Sequence, residues 1–136
     1  GGKGLHVVTP LAPAEISWPE AKGFARKLCC QMAADSPERF LVEMNKKARA
    51  ARIYLDYLRN DLTSSAVAPL SPRARDGAPV SMPLLWSQVR NGLDPRRFTL
   101  RSAPRLIAKI KPWRDYFETE RPLSAAIKRL GKAKGG

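Results

Sequence analysis

Apolar positions recur at helical spacing in one stretch near the start of the chain and crowd into short strand-like runs around it. Ala21, Phe24, Ala25, Leu28 and Met32 fall on one face of a helix predicted over Trp18–Ala34. Ser17-Trp18-Pro19-Glu20 supplies its start: a Ser cap, an early Pro and a Glu at the third helical position. Asp35-Ser36-Pro37 ends that helix and opens a second, expected over Pro37–Lys47, with Phe40, Leu41, Met44 and Ala48 as its apolar stripe. Leu5–Thr9 reads as a strand closed by Pro10 and Pro13. Ile53–Leu58 reads as another, with Ile53, Leu55 and Tyr57 on one face and Tyr54, Asp56 and Leu58 on the other. Asn60–Ser65 is a polar turn and Ser65–Pro69 a returning strand, so a hairpin is expected.

Further along, Ser71–Pro79 is a loop rich in Pro, Gly and Arg. Val80–Pro83 suits a short edge extension, Leu85–Arg90 a helical turn and Phe98–Leu100 a strand. Ser102 is placed to cap a helix holding Leu106, Ile107 and Ile110. Trp113, Tyr116 and Phe117 form an aromatic cluster expected to pack in the core. Leu123–Leu130 reads as a basic helix and Gly131–Gly136 as a frayed end or the start of a linker. No repeat is visible. The mixture predicts an α+β fold with a small, mostly antiparallel sheet and flanking helices.

Charge changes the picture most. In 136 residues there are 25 Lys+Arg against 12 Asp+Glu, a formal net charge of +13. That balance favours a polyanionic partner: nucleic acid, nucleotide or an acidic membrane surface. A merely soluble basic domain is the plain alternative. No apolar run approaches the roughly 18–20 residues that span a bilayer, so no membrane segment is expected. The two cysteines, Cys29 and Cys30, are adjacent, and a bond between helical neighbours would be strained. With one histidine and no C-x-x-C, they read as reduced structural thiols rather than zinc ligands.

The candidate chemistry centres on Asp56, placed mid-strand where a carboxylate is costly unless a cation meets it. It suits a Mg²⁺ or Mn²⁺ ligand, since such ions take a carboxylate or two plus substrate phosphates. The competing reading is an ion pair with Arg52 or Arg59. Arg59, Arg73 and Arg75 offer planar forks of donors that match phosphate oxygens, or are solvated loop charges. His6, beside Gly1, Gly2, Lys3 and Gly4, suits a phosphate-binding turn, although G-x-x-x-x-G-K-[ST] is absent. Lys46, Lys47, Arg49 and Arg52 form the densest basic run, either a nucleic-acid contact or a solvated helix end. One histidine is too few for a Ser/His/Asp triad, and a two-metal site needs more convergent carboxylates than Asp56.

GGKGLHVVTPL, RIYLDYLRN, AVAPLSPRARDGAPVSMPL and PWRDYFE, in that order, resemble the polymerase domain of bacterial DNA ligase D, a member of the archaeo-eukaryotic primase superfamily. The resemblance runs from Gly1 to about Glu118. It implies a primase-type core, here its RRM-like half, working in double-strand break repair by non-homologous end joining. It implies nucleotide addition to DNA ends from nucleoside triphosphates with Mn²⁺ or Mg²⁺ and a preference for ribonucleotides. The implied partners are break ends, the bacterial Ku homologue and the ligase domain of the whole enzyme, in the cytoplasm at the nucleoid.

Residue by residue, the family's third metal-binding carboxylate falls on Asp56. Its nucleotide-contacting loop falls on Gly2, Lys3, Gly4 and His6, and its phosphate-contacting arginines on Arg59, Arg73 and Arg75. Lys46, Lys47 and Arg52 are the expected nucleic-acid contacts. The family's D-x-D pair, its Ser before the histidine motif and its basic pocket for a 5′-phosphate have no counterpart in these residues. The expectation is therefore the C-terminal half of a polymerase domain over 1–122, with a basic helix and tail over 123–136, and no polymerase activity from the chain by itself. A non-catalytic basic nucleic-acid-binding module is the alternative, and a basic domain for a protein partner a third reading.

Overall fold

The computed structural model describes residues 4–12 and 16–132. The chain divides into two compact units: Gly1–Pro10 with Val67–Glu120, hereafter unit 1, and Leu11–Ala66 with Arg121–Gly136, unit 2.

Unit 2 is organised by helix α1, Trp18–Asp35. Its start is fixed locally. The Ser17 backbone N–H donates to Glu20 Oε2 at 2.8 Å, and the Glu20 N–H donates back to Ser17 Oγ at 3.4 Å. This reciprocal box satisfies donors that the first turn would otherwise leave unpaired. The Ser17 hydroxyl donates to the same Glu20 Oε2 at 2.7 Å, and together with the Ser17 N–H it holds the Glu20 carboxyl below its usual range. Ser36 stops the helix, its N–H donating to the Met32 carbonyl at 3.1 Å. Helix α1 packs against strand β1, Phe40–Leu41, and against helix α3, Leu123–Lys132. Among the described residues, Leu41 and Leu123 are the buried apolar side chains of this unit.

The segment expected as a second helix is not one. After Ser36 the chain turns into β1, and only Lys46–Arg49 winds, as a 3₁₀ turn capped by Asn45 Oδ1 accepting from the Lys47 N–H at 3.0 Å. Met44, assigned to the helical stripe, is 63% exposed. Three consecutive apolar residues, Phe40-Leu41-Val42, suit a pleated, half-buried ribbon better than a helix face. β1 pairs with β2, Ile53–Tyr54, and the pairing is parallel: Phe40 opposite Ile53 and Leu41 opposite Tyr54. Ile53 N–H donates to the Arg39 carbonyl at 2.7 Å, and Leu55 N–H to that of Leu41 at 2.9 Å. A mostly antiparallel sheet was the expectation, so this corrects it. The reason is the connection: eleven residues, 42–52, separate the two strands, room for the crossover that parallel pairing needs.

In unit 1, antiparallel pairing survives as isolated bridges, Pro72 with Val80 and Pro79 with Thr99. The expected hairpin therefore lies later than predicted. Leu70 N–H bonds the Ser81 carbonyl at 2.7 Å and Ser81 N–H that of Ser71 at 3.0 Å, closing a loop that carries Arg73 and Arg75. Gly77 takes φ +78° at its tip, a conformation glycine adopts without steric cost. Neither Ser65–Pro69 nor Leu5–Thr9 is a strand; no neighbour among the described residues supplies their ladder. Among the described residues, Val80, Pro83 and Ala103 are buried here. Trp86–Gln88 forms the expected helical turn. Helix α2, Ala103–Ile110, follows. The aromatic cluster forms but is not core: Trp113 and Tyr116 stack at 5.1 Å, Phe117 meets Tyr116 edge-on at 5.2 Å, and Phe117 is 78% exposed.

Candidate functional site

β2 ends at Tyr54, so Asp56 lies just beyond the strand rather than within it, its side chain 31% exposed. Solvent access removes the desolvation cost that made a mid-strand carboxylate look demanding. The residue is anchored by local bonds. Asp56 Oδ1 accepts from the Leu58 N–H at 3.2 Å, which bends the chain out of the strand. Asp56 Oδ2 accepts from Arg59 Nε at 2.8 Å. Arg59 Nη1 also donates to the Ser65 carbonyl at 3.1 Å, bracing the 59–65 turn. A guanidinium has five N–H donors, so Arg59 keeps donors for an anion while paired with Asp56. The Asp–Arg ion pair anticipated from the sequence thus exists, and both side chains remain partly exposed.

The surroundings of Asp56 come from α1 and β2. Its negative charge helps push up the Cys29 thiol and the Tyr54 phenol, in both cases behind the larger effect of burial. Cys29 is half-buried and Cys30 exposed, and both are free thiols. Tyr54 in turn lies under the Arg49 guanidinium, 4.1 Å from ring centroid to Cζ, a cation–π contact.

The basic run divides by role. Arg49 Nη2 donates to the Met44 carbonyl at 2.6 Å. Arg52 Nη2 donates to the Ala48 carbonyl at 2.6 Å and Nη1 to that of Pro37 at 3.5 Å. Both arginines brace backbone. Lys46 and Lys47 are exposed, with side chains that make no hydrogen bond or ion pair among the described residues. Sequence reasoning missed a second ion pair in this unit, Lys22 Nζ to Asp61 Oδ2 at 2.6 Å. Its partners are 39 residues apart, and no local spacing signals it.

Gly4, His6, Arg73 and Arg75 belong to unit 1. Gly2 and Lys3 lie outside the described residues. Gly4 and His6 are exposed, Gly4 in a bend and His6 outside any helix or strand. Arg73 is half-buried, with its N–H donating to the Pro79 carbonyl at 2.9 Å, and Arg75 is exposed. Neither guanidinium is engaged by an acidic side chain among the described residues. No group of three or more His, Cys, Asp or Glu side chains gathers among the described residues.

The family described as LigD, primase-polymerase domain, matches residues 1–113. The chain belongs to that family. It is 38% identical over 136 residues to the multifunctional non-homologous end joining protein LigD of Pseudomonas aeruginosa, covering 97% of this chain and 16% of that protein. It is 30% identical over 138 residues to the bifunctional LigD of Bacillus subtilis, covering 97% of this chain and 22% of the relative. The chain thus spans about a fifth of the length of these relatives. The polymerase domain of Mycobacterium tuberculosis ligase D, solved in complex with DNA, superposes with a TM-score of 0.71 at 20% identity, covering 82% of this chain and 38% of that one. That likeness establishes the shared fold of this LigD polymerase-domain segment. No helix among the described residues is long and apolar enough to cross a membrane.

Proposed function

We propose that this chain supplies the triphosphate- and template-facing part of a polymerase that adds nucleotides to DNA ends during non-homologous end joining. The observation that carries it is the Asp56–Arg59 pair: a solvent-reached carboxylate and a guanidinium with donors to spare, fixed on one tight turn. Asp56 would hold Mg²⁺ or Mn²⁺ jointly with the phosphates of a nucleoside triphosphate. Such an ion supplies charge neutralisation for attack of a primer 3′-hydroxyl on the α-phosphate. Arg59, Arg73 and Arg75 would bind phosphate oxygens, as would the Gly2–His6 loop. Lys46 and Lys47 would hold the DNA backbone, with Arg52 fixing the turn that presents them.

In this reading residues 1–122 form part of a primase-type core, its RRM-like half, followed by the basic helix and tail of 123–136. The Ku homologue, the ligase domain and a nucleoid location belong to the same proposal. One carboxylate cannot organise two metals, so the 136-residue chain alone is expected to add no nucleotides.

The test separates the two ligand classes. Arg73→Ala with Arg75→Ala should weaken nucleoside triphosphate binding while duplex DNA binding largely persists. Lys46→Ala with Lys47→Ala should do the reverse. Equal losses for both ligands in both variants would defeat the division of roles. They would favour the second reading, a non-catalytic nucleic-acid-binding module, for which the +13 charge is the supporting observation.

A further inference from the structure

Between Asp94 and Asp115 the chain carries seven basic residues and no acidic one. Three of them, Arg101, Arg105 and Lys109, are spaced four apart. The helical winding that carries them begins just before α2. Thr99 N–H donates to Ser102 Oγ at 2.9 Å, Ser102 N–H donates to Thr99 Oγ1 at 3.2 Å, and Ala103 N–H donates to the Thr99 carbonyl at 2.9 Å. That is a capping box with Thr99 as the cap. Ser102 makes no cap bond of its own, and its hydroxyl instead donates to the Arg97 carbonyl at 2.6 Å. Arg101 therefore sits in the first turn of the same spiral as Arg105 and Lys109.

At about 100° per residue, Arg101 and Lys109 lie roughly 40° to either side of Arg105, whereas Ala103, Leu106 and Ile107 lie about 100–200° away. The structure agrees: Ala103 is buried, Leu106 and Ile107 half-buried, and all three basic residues exposed. The buried and half-buried positions face away from the three basic residues, so the edge this helix exposes is charged. None of the three basic side chains has an ion-pair or hydrogen-bond partner among the described residues. Along the axis they stand about 6 Å apart, against a strand of duplex DNA that presents a phosphate every ~3.4 Å.

We propose that Arg101, Arg105 and Lys109 form a comb that binds the phosphate backbone of duplex DNA without reading its sequence. These residues belong to unit 1, whereas Asp56, Arg59 and the Lys46–Lys47 turn belong to unit 2. The comb needs neither metal nor nucleotide, so it can stand or fall independently of the polymerase reading. Its ligand chemistry, a regular polyanion, is shared with an acidic lipid surface; the regular spacing along one helix edge favours the phosphate backbone of a duplex.

The experiment measures binding of the 136-residue chain to a blunt mixed-sequence duplex across a salt series, without metal or triphosphate. Arg105→Gln with Lys109→Gln should reduce the slope of log affinity against log salt by about 2, since each phosphate contact contributes roughly 0.9. The loss should be equal across duplex sequences. Arg26→Gln with Lys27→Gln removes the same charge from exposed positions of α1 and should leave the slope nearly unchanged. All four positions are exposed, and unaltered thermal unfolding confirms the fold. Equal slopes for the two double variants would overturn the proposal in favour of net charge alone. So would no duplex binding by the parent chain, or a loss confined to phosphatidylserine vesicles.

Discussion

Replacing Asp56 with Asn separates what this carboxylate does for the fold from what it does for ligands. The variant keeps an oxygen where Oδ1 accepts from the Leu58 N–H. It removes the charge that Arg59 Nε meets at 2.8 Å. That pair is partly exposed and three residues apart; such pairs contribute about 0.2–1 kcal/mol. Arg59 retains its bond to the Ser65 carbonyl, so the turn keeps a brace. Thermal unfolding should fall by no more than about 5 °C. Triphosphate binding in the presence of Mn²⁺ should weaken by at least 10–100-fold, roughly the cost of losing even an outer partner of a metal ligand. DNA binding without metal should hold or improve, because the net charge rises and Arg59 is released. Circular dichroism and a fluorescent-triphosphate titration read both effects on one sample. A melting drop beyond about 10 °C would make Asp56 a structural residue. Unchanged Mn²⁺-linked affinity with a normal melt would remove it from the metal site.

Three other outcomes follow from the geometry. Ser17→Ala breaks the box at the start of α1 and should cost about 1 kcal/mol, seen as a lower denaturation midpoint with an unchanged denaturant slope. Leu41→Ala empties a site that is 6% exposed and should cost about 2–5 kcal/mol, measured by chemical denaturation. The Lys22 ammonium, with the Thr63 N–H and hydroxyl, holds the Asp61 carboxyl well below its ordinary value of 3.8. A depressed carboxyl contributes stability above its unfolded value and loses it as pH falls through the folded one. Melting temperature should therefore decline below about pH 4, and Asp61→Asn should flatten that decline; an acid limb identical in both proteins would contradict the assignment.

Local signals in the sequence were reliable where local bonds decide structure. The Ser17–Glu20 box and the apolar spacing of Ala21, Phe24, Leu28 and Met32 located α1 to within a residue. Leu123 onward read as a helix for the same reason. Phe40–Leu41 was misread because its conformation depends on pairing with Ile53–Tyr54, a partner chosen by tertiary packing. The same non-local pairing decides that the ladder ends before Asp56. Ser102 stands at the cap position of α2 as expected, but its hydroxyl makes no cap bond and is spent on the Arg97 carbonyl and the Thr99 N–H. The Asp56–Arg59 link was visible as one of two competing readings. That Arg49 and Arg52 spend their donors on carbonyls was not visible, since charge runs in a sequence carry no direction. The four-residue spacing of Arg101, Arg105 and Lys109 was present in the sequence throughout.

The most direct test of the central claim is an amide NMR titration of the 136-residue chain with a nucleoside triphosphate and Mg²⁺. The account predicts a dispersed spectrum whose shifts cluster at Gly4–His6, Asp56–Asn60 and Arg73–Arg75. A dispersed spectrum in which those residues stay still, at triphosphate concentrations that move others, would contradict it.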